Sequence, residues 1–415
     1  MSKSIRGLLA FAASSSLILA QGDKPAPQAS GAGWSATPGK GVKYDGGDAF
    51  ELELKNRLQV HWTFEANEDT EDQNTFDIRR ARTTLAGHVF SRNILYFLQL
   101  DWTDDGAFGG GGALKQGWAQ WNFSHSEQST VGLRAGQAKS MYGLEATMTS
   151  AGLWFVERSI ASRAFADAYS RGAWLNGLMA DNRLRWAFGA MNTDSSAAMQ
   201  GNADVGEETP NSDNELSYVL AANFDPMGDF FGGKQTTEQQ RQGDWRTDDR
   251  SLKGTIGAGV AIGNGKAAGG QDIDTFALNL NTAWNVEKFN FLGEYFMRQD
   301  EVDGSNDSEE PMGFNVAAGY LLDKSGDSAI QWGLGLRASM VSGDEGAAGS
   351  GATFFPLPGT GAEGDITEIS AVVNAFYHGH PCKTQFEWTL QEVDPSGAAS
   401  SSTNHIFRIA FQLEF

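Results

Sequence analysis

The sequence predicts an all-β chain that closes into a transmembrane antiparallel β-barrel of about 16 strands. Three observations predict this fold. Segments in which apolar and polar residues alternate recur from Phe50 to Phe415, and the connections between them are alternately short and long. The chain is also rich in glycine and aromatic residues, with 51 Gly, 26 Phe, 12 Trp and 8 Tyr, yet its mean hydropathy is -0.37. This combination is typical of strands that have one lipid-facing face and one polar face.

The N-terminal residues predict export. Lys3 and Arg6 form a basic region, residues 7–20 are apolar, and Ala20 offers a cleavage site before Gln21. This is the pattern of a secretory signal peptide, and the apolar run is too short for a spanning helix. A buried N-terminal helix is the alternative, but the run is continuously apolar rather than periodic. We therefore expect residues 1–20 to be a signal peptide and the mature protein to reach the cell outer membrane.

Residues 21–48 are rich in Pro, Gly, Ala and Ser and show no periodicity, which predicts a flexible periplasmic leader. The barrel itself is expected over residues 49–415. Its first strand shows the alternation most clearly, because seven apolar side chains from Phe50 to Phe64 share one parity and only Asn56 breaks it. Such a strand is longer than the usual strand of a globular sheet, which has about five or six residues.

Sixteen segments of this kind follow one another along the chain: 51–65, 75–90, 93–103, 114–123, 129–137, 171–180, 183–192, 215–224, 254–262, 274–284, 288–298, 312–321, 329–340, 366–377, 380–390 and 404–415. Short connections follow the even strands and long polar ones follow the odd strands, which places both termini in the periplasm. Residues 225–253 are the exception, since they occupy a position where a short turn is expected. A soluble β-sandwich or solenoid is the alternative fold, but it does not explain a uniformly polar second face.

Composition excludes several function classes. A net charge of -21 disfavours a nucleic-acid partner, which needs a basic face. Cys382 is the one cysteine, so neither an internal disulfide nor a cysteine-built metal site can form. Gly109–Gly112 lacks the strand-to-helix context of a phosphate-binding loop, and the pair His378 and His380 is better explained by a turn than by a metal. We therefore expect no enzyme activity, no metal and no cofactor.

Two stretches carry a resemblance to a known family. Residues 76–82 read FDIRRAR, and residues 131–160 read VGLRAGQAKSMYGLEATMTSAGLWFVERSI. They resemble the phosphate-selective porin O and P family, which has F-x-x-RRAR on an early strand, then G-x-x-K-x-x-x-GLE and F-x-ER-S. The resemblance is dense over about residues 50–190. It implies a homotrimeric outer-membrane barrel whose third loop folds inward, narrows the pore and presents cations to small hydrophilic anions.

Carried over residue by residue, the resemblance implies an anion-binding constriction. Its expected members are Arg57, the pair Arg79 and Arg80, Lys139, and Arg158. One position departs from the family pattern, because members that bind phosphate tightly often carry lysine after GLE and this chain has Ala146. The resemblance therefore implies a porin in a lipid membrane, with phosphate as the candidate solute rather than an assigned one.

Residue patterns add two expectations of their own. The parity of apolar residues shifts around Arg79 and Arg80, which predicts a β-bulge that lets both guanidiniums reach the lumen. Three other lumen arginines are expected to pair with facing carboxylates such as Asp101, Glu294 or Glu387 instead of contacting solute: Arg183, Arg298 and Arg408.

The sequence leaves three functions open. The first is a water-filled channel for passive diffusion of small anions, such as phosphate or polyphosphate, through an arginine-lined constriction. The second is a general porin with weak or cationic selectivity, which the acidic loops and Ala146 favour. The third is a structural outer-membrane barrel whose inward loop plugs the lumen.

Overall fold

The computed structural model of the chain describes residues 33–68, 71–103, 113–125, 129–166, 169–192, 216–232, 238, 240–247, 249–266, 272–302, 308–324, 328–343, 364–395 and 400–415. The predicted signal peptide and Gly109–Gly112 lie outside these residues. The described strands are β1 (Gly33–Thr37), β2 (Gly41–Asp45), β3 (Phe50–Asn67), β4 (Gln73–Val89), β5 (Ser91–Asp101), β6 (Ala113–His125), β7 (Thr130–Lys139), β8 (Tyr169–Met179), β9 (Leu184–Asn192), β10 (Leu216–Phe224), β11 (Lys253–Lys266), β12 (Asp272–Val286), β13 (Phe289–Val302), β14 (Ser308–Glu309), β15 (Met312–Leu321), β16 (Gln331–Ser342), β17 (Gly364–Phe376), β18 (Cys382–Pro395) and β19 (Ser402–Glu414).

Sixteen of the described strands close into an antiparallel barrel, which confirms the predicted fold and each of the sixteen predicted strands. Neighbours in sequence pair with each other from β3 to β19, with the two-residue β14 added beside β13. Closure is made by β19 and β3, which pair from Asn404↔Asn67 to Glu414↔Arg57. Two backbone hydrogen bonds between Asn56 and Phe415 extend this seam by one more residue, at 2.7 and 3.0 Å.

The two faces of the wall differ as the alternation predicts. Large apolar side chains of one parity are exposed, for example Phe314 and Val316 on β15 and Leu336 on β16. Polar side chains of the other parity are buried, and Asn315 and Arg337 are 0% and 4% exposed. Because successive side chains point to opposite faces of a strand, the polar set faces the barrel interior and the apolar set forms its outer surface.

The leader predicted over 21–48 is not unstructured throughout, because β1 and β2 form a hairpin within it. Gly39 and Gly41 make the turn with φ of 75° and 84°, a region that favours glycine. Trp34 packs on Tyr44 with ring centroids 5.0 Å apart, and β2 pairs with the start of β3. The prediction was wrong here because strands of five residues are too short to show a period.

Helices are few and short in the described chain. Two α-helices, Leu144–Thr147 and Ile160–Phe165, and a 3₁₀ turn, Ser150–Gly152, all lie between β7 and β8. None of the helices in the described parts of the chain has the length and apolar composition needed to cross a membrane.

Candidate functional site

A loop glutamate, Glu157, is held by the two consecutive arginines of β4. The Arg79 Nε donates to Glu157 Oε1 at 2.8 Å. The Arg80 Nη1 and Nη2 donate to Oε1 and Oε2 of the same carboxylate at 3.1 and 2.8 Å, and Nη1 also donates to Gln59 at 2.9 Å. Arg80 is 5% exposed, so its guanidinium is almost inaccessible to solvent.

The predicted β-bulge explains how the neighbouring side chains of Arg79 and Arg80 both reach Glu157. Gln59 pairs with Arg80 but His61 pairs with Asp77, so two residues of β4 oppose one residue of β3. In a regular strand consecutive side chains point to opposite faces, and the extra residue of a bulge re-aims one of them. The bulge at Ile78 and Arg79 is therefore confirmed.

The Glu157 carboxylate stays charged in this setting. Burial acts to raise the pKa of its carboxyl, but the adjacent Arg80 and Arg79 outweigh that effect and hold the pKa well below its usual value. Two guanidinium charges and one carboxylate charge leave the group of three with a net positive charge, which is the sign an anion requires.

A second pair of arginines lies two residues farther along the same wall. Arg57 of β3 and Arg82 of β4 are direct cross-strand partners. Their guanidiniums donate to the same hydroxyl, Ser150 Oγ, at 2.9 and 3.3 Å. Arg82 also forms an ion pair with Asp101, with Nε and Oδ2 2.6 Å apart. At about 3.3 Å per residue, this pair lies roughly 7 Å from the level of Arg80.

Arg57 and Arg82 also line a cavity of about 270 Å³ beside β3, β4 and β5. Four cations and two carboxylates line it, which gives its wall an excess of positive charge. Arg241 and Lys55 both contact Glu414, with nitrogen–oxygen distances of 2.6 and 3.6 Å. The charged lining residues are Glu53, Lys55, Arg57, Arg82, Arg241 and Glu414, joined by Asn56, Thr84, Ala86, Phe97, Gln99 and Thr149.

Residues 140–166 are buried almost throughout and bond to many strands. The amides of Leu144 and Glu145 donate to Glu294 of β13 at 2.6 and 3.1 Å. The Val156 amide donates to Glu387 of β18 at 2.8 Å. Further hydrogen bonds join this segment to interior-facing residues of β15, β16, β17 and β19, namely Asn315, Arg337, Ser339, Glu368, Asn374 and Gln412.

Lys139 and Arg158, which were expected to meet anions, instead support this segment. Lys139 Nζ donates to the carbonyls of Ala146 and Met148, and Arg158 donates to the carbonyls of Glu145 and Met148. The two side chains are 5% and 4% exposed. Their side-chain nitrogens donate to backbone oxygens within residues 140–166. This arrangement does not place the two side chains in contact with solute.

The same contacts explain the spacing of the two sequence motifs. Glu145 of GLE accepts hydrogen bonds from the amide and hydroxyl of Ser159 in the ERS stretch, at 3.0 and 2.8 Å. Arg158 returns a bond to the carbonyl of Glu145. Ala146 itself is 2% exposed and lies in an apolar cluster with Tyr142 and Phe165.

The expected carboxylate pairing holds for two of the three other arginines. Arg408 contacts Glu387 at 3.1 Å, and Arg298 contacts Asp300 at 2.7 Å. Arg183 differs, because it donates to the backbone carbonyls of Asp225 and Pro226 instead of to a carboxylate.

His378 and His380 lie in the connection between β17 and β18. His380 is buried, and its Nε2 lies 2.7 Å from the carbonyl oxygen of Gln242. Burial, together with Lys383 and Arg241, lowers the pKa of His380 well below its usual value. Within the described residues, no group of three or more His, Cys, Asp or Glu side chains is arranged to hold a metal ion.

Sequence reasoning missed three of the cations. Arg82 and Lys55 could have been found, because each lies two residues from a cation already identified on its strand and therefore faces the same way. Arg241 carried no such signal, since it lies in a connection without periodicity.

Comparisons with known proteins agree with the barrel fold. The family model for phosphate-selective porin O and P matches residues 53–306. Among solved structures, the anion-selective porin from Comamonas acidovorans superposes with a TM-score of 0.58 at 9% identity, over 88% of this chain and 99% of that one. The outer-membrane channel DcaP of Acinetobacter baumannii gives 0.57 at 11% identity, over 89% and 100%. The trimer form of OmpT, an outer membrane protein of Vibrio cholerae, gives 0.51 at 11% identity, over 88% and 100%. At these identities the structural likeness concerns the fold alone. The search of curated proteins returned no match.

Proposed function

The chain belongs to the phosphate-selective porin O and P family, and from this membership we propose that it forms an anion-preferring diffusion channel in the outer membrane. The observation that carries the proposal is the row of arginines on the β3–β4 wall. Arg79 and Arg80 lie at one level and Arg57 and Arg82 at the next, and the cavity beyond them has more cations than carboxylates.

This arrangement suits an oxyanion for a physical reason. An anion that enters a narrow polar passage loses part of its hydration shell, and guanidiniums replace those contacts with charge-assisted hydrogen bonds. Stepwise sites of moderate strength let the ion enter and leave again, which passive transport requires. The net charge of the whole chain matters less than the charges that line the passage.

We infer that residues 140–166 are the inward-folded third loop of this channel and form its constriction with β3 and β4. Their hydrogen bonds to interior side chains on both sides of the barrel support this inference. In this arrangement the half-exposed Arg79 faces the solute, the buried Arg57 and Arg80 add positive charge to the wall beside it, and Lys139 and Arg158 hold the loop in shape.

Phosphate is the proposed solute class, with polyphosphate as a larger relative. Family membership and the paired guanidiniums support it, whereas Ala146 removes a cation that tight phosphate binders often carry. We further propose a homotrimer whose outer apolar surface meets outer-membrane lipid. The trimer form of the OmpT structure and the exposed apolar parity of the wall support this assembly.

A plugged, structural barrel is the second candidate. It is favoured by the extent to which residues 140–166 are buried against the interior of the wall. A general porin with weak or cationic selectivity is the third, favoured by the net charge of -21.

Single-channel recording of the purified protein in a planar bilayer distinguishes the three. Under a potassium chloride gradient, the proposal expects a reversal potential of anion sign and a chloride current that added phosphate blocks. The block should disappear in Arg79→Ala/Arg80→Ala but persist in Arg92→Ala, which removes an exposed arginine bound to Asp48 in a turn. Cation preference without block would leave the general porin, and no conductance would leave the structural barrel.

A further inference from the structure

The hairpin of β1 and β2 extends the barrel wall at the end where β3 begins, which we call the lower rim. β19 pairs with β3 only from residue 57 onward. Closer to the rim, β2 pairs with residues 51–54 of β3 instead. The turn of the hairpin packs against the connection between β17 and β18, because a Cβ placed on Gly39 would lie 2.5 Å from Pro381 Cβ. The hairpin is therefore a continuation of the sheet at the rim.

One face of the hairpin is apolar and continues the outer surface of the wall. Opposite residues of an antiparallel ladder share a face of the sheet. Two rows cross β1, β2 and β3 on this face: Trp34, Tyr44 and Leu52 in the first, and Ala36, Val42 and Leu54 in the second. Both leucines have the parity opposite to that of Arg57, which lies inside the barrel. The other face of the hairpin carries Ser35, Thr37 and Lys43.

This apolar face is open in the isolated chain. Trp34 is 68% exposed, and Ala36 and Val42 are also exposed. The rings of Trp34, Tyr44 and Phe50 form a row along the rim, with successive centroids 5.0 and 6.0 Å apart. A contiguous exposed patch of this kind marks a surface that contacts a partner or a membrane.

The level of the face along β3 indicates a membrane interface. β3 has 18 residues, whereas a tilted strand crosses the hydrocarbon core with about 9–11. Near its other end the rings of Trp62 and Phe64 stack 6.5 Å apart, and aromatic residues are enriched at both membrane interfaces. Counting back about ten residues from this pair leads to residues 52–54, which are the residues that β2 covers.

The charges around the hairpin favour a neutral surface. Lys43 pairs with Glu51 at 2.8 Å, and Arg92 pairs with Asp48 at 2.7 Å. These charges cancel in pairs, whereas binding to anionic lipid requires an excess of cations. Apolar contact with a zwitterionic phospholipid therefore fits this face better than electrostatic attachment.

We propose that the β1–β2 hairpin binds the phospholipid leaflet at the lower rim. The aromatic row of Trp34, Tyr44 and Phe50 lies among the headgroups, and Ala36 and Val42 lie at the start of the acyl chains. Tyr and Trp suit this position because each ring has an apolar body and a polar group. The proposal concerns the membrane contact of the chain and is independent of the solute that the channel carries.

Fluorescence quenching in lipid nanodiscs tests the contact without measuring conductance. Cys382→Ser removes the one native thiol, and Ala36→Cys then places a fluorescent label on the apolar face. Ser35→Cys is the matched control, because it is the exposed neighbour on the opposite face. Phosphatidylcholine with a doxyl group at the head end of its acyl chain reports contact with lipid, and iodide reports contact with water.

The two quenchers separate the occupants of the face. We expect doxyl lipid to quench most of the fluorescence at position 36 and little at position 35, and iodide to do the reverse. Iodide quenching at both positions would overturn the proposal, because the face would then lie in water. Protection of position 36 from both quenchers would also overturn it and would assign the face to a second copy of the chain. A channel without anion preference would contradict the proposed function alone.

Replacing the rings tests whether they hold the face in lipid. With the label at position 36, Trp34→Ser/Tyr44→Ser should exchange doxyl quenching for iodide quenching, because it removes the interfacial side chains. Trp34→Phe/Tyr44→Phe keeps the apolar rings and should retain doxyl quenching, which controls for a loss of the hairpin fold. Doxyl quenching that persists in the serine variant would overturn the assignment of the contact to these rings.

Discussion

Arg80 and Glu157 form a two-point ion pair in which both Nη atoms of the arginine donate to the carboxylate, at 3.1 and 2.8 Å. The pair joins the wall strand β4 to residues 140–166. Arg79 adds a third bond from the next position of the bulged strand. One carboxylate therefore fixes the position of the loop and neutralises part of the charge of the arginine row.

Glu157→Gln should raise anion preference and lower stability. The variant keeps the shape of the side chain but removes the one negative charge between Arg79 and Arg80, so the passage becomes more positive. It also leaves Arg80 buried with a weaker partner, and breaking a buried pair costs about 3–5 kcal/mol of unfolding free energy. The reversal potential measures the first effect and denaturant unfolding the second. An unchanged reversal potential would place Glu157 away from the ion path.

Lys139→Met should loosen the loop without removing a charge from the ion path. Lys139 donates to two carbonyls of residues 140–166, and each charged hydrogen bond contributes about 1.5–3 kcal/mol. We expect faster hydrogen exchange over the loop and noisier single-channel current, with the sign of selectivity retained. A reversal potential that shifts toward cations, with hydrogen exchange unchanged, would instead place Lys139 in contact with the permeating ion.

Gly152→Ala should widen the passage. Its Cβ would lie within 2.7 Å of the backbone and side chain of Arg241, so residues 240–246 have to move away from the loop. We expect a higher single-channel conductance and weaker anion preference. Gly293→Ala is the control, because the added carbon there makes contacts of 3.4 Å and longer. Identical conductance of the two variants would show that residues 240–246 do not limit ion flow.

His380 should make stability depend on pH. The folded pKa of this buried histidine lies well below its ordinary value of 6.5, so the folded state resists protonation that the unfolded state accepts. Its contribution is complete above about pH 6.5 and is lost as pH falls toward the folded pKa, by at most about 1.4 kcal/mol per pH unit. His380→Gln should reduce this slope in denaturant unfolding between pH 7 and 5. His378→Gln, an exposed neighbour, should not.

The fold could be predicted from the sequence because alternation is a local property. About ten residues are enough to show which side chains of a strand are apolar and which are polar. The shift in the parity of the apolar residues at Arg79 was enough to predict the bulge. The site could be predicted only in part. Arg57, Arg79 and Arg80 share the wall of a strand pair, whereas the partners of Lys139 and Arg158 depend on how a loop without periodicity folds back on itself.

The contacts of residues 240–246 could not be predicted for the same reason. These contacts join residues far apart in sequence, such as Gln242 with Gly152 and Trp245 with Phe376, and neither local composition nor spacing indicates them. The short hairpin of β1 and β2 was missed because two strands of five residues contain too few positions for a period to show.

The seam between β3 and β19 has a consequence for the order of folding. It joins positions separated by almost the whole chain, and Asn56 bonds to Phe415 at its end. Contacts of such long range form slowly, because the entropy of closing the intervening chain is lost before the contact stabilises anything. Until β19 pairs with it, β3 has an open edge to which another chain could add a strand. The hairpin covers only the first part of that edge through the pairing of β2 with residues 51–54, so residues 57–67 stay open to another strand until β19 pairs with them.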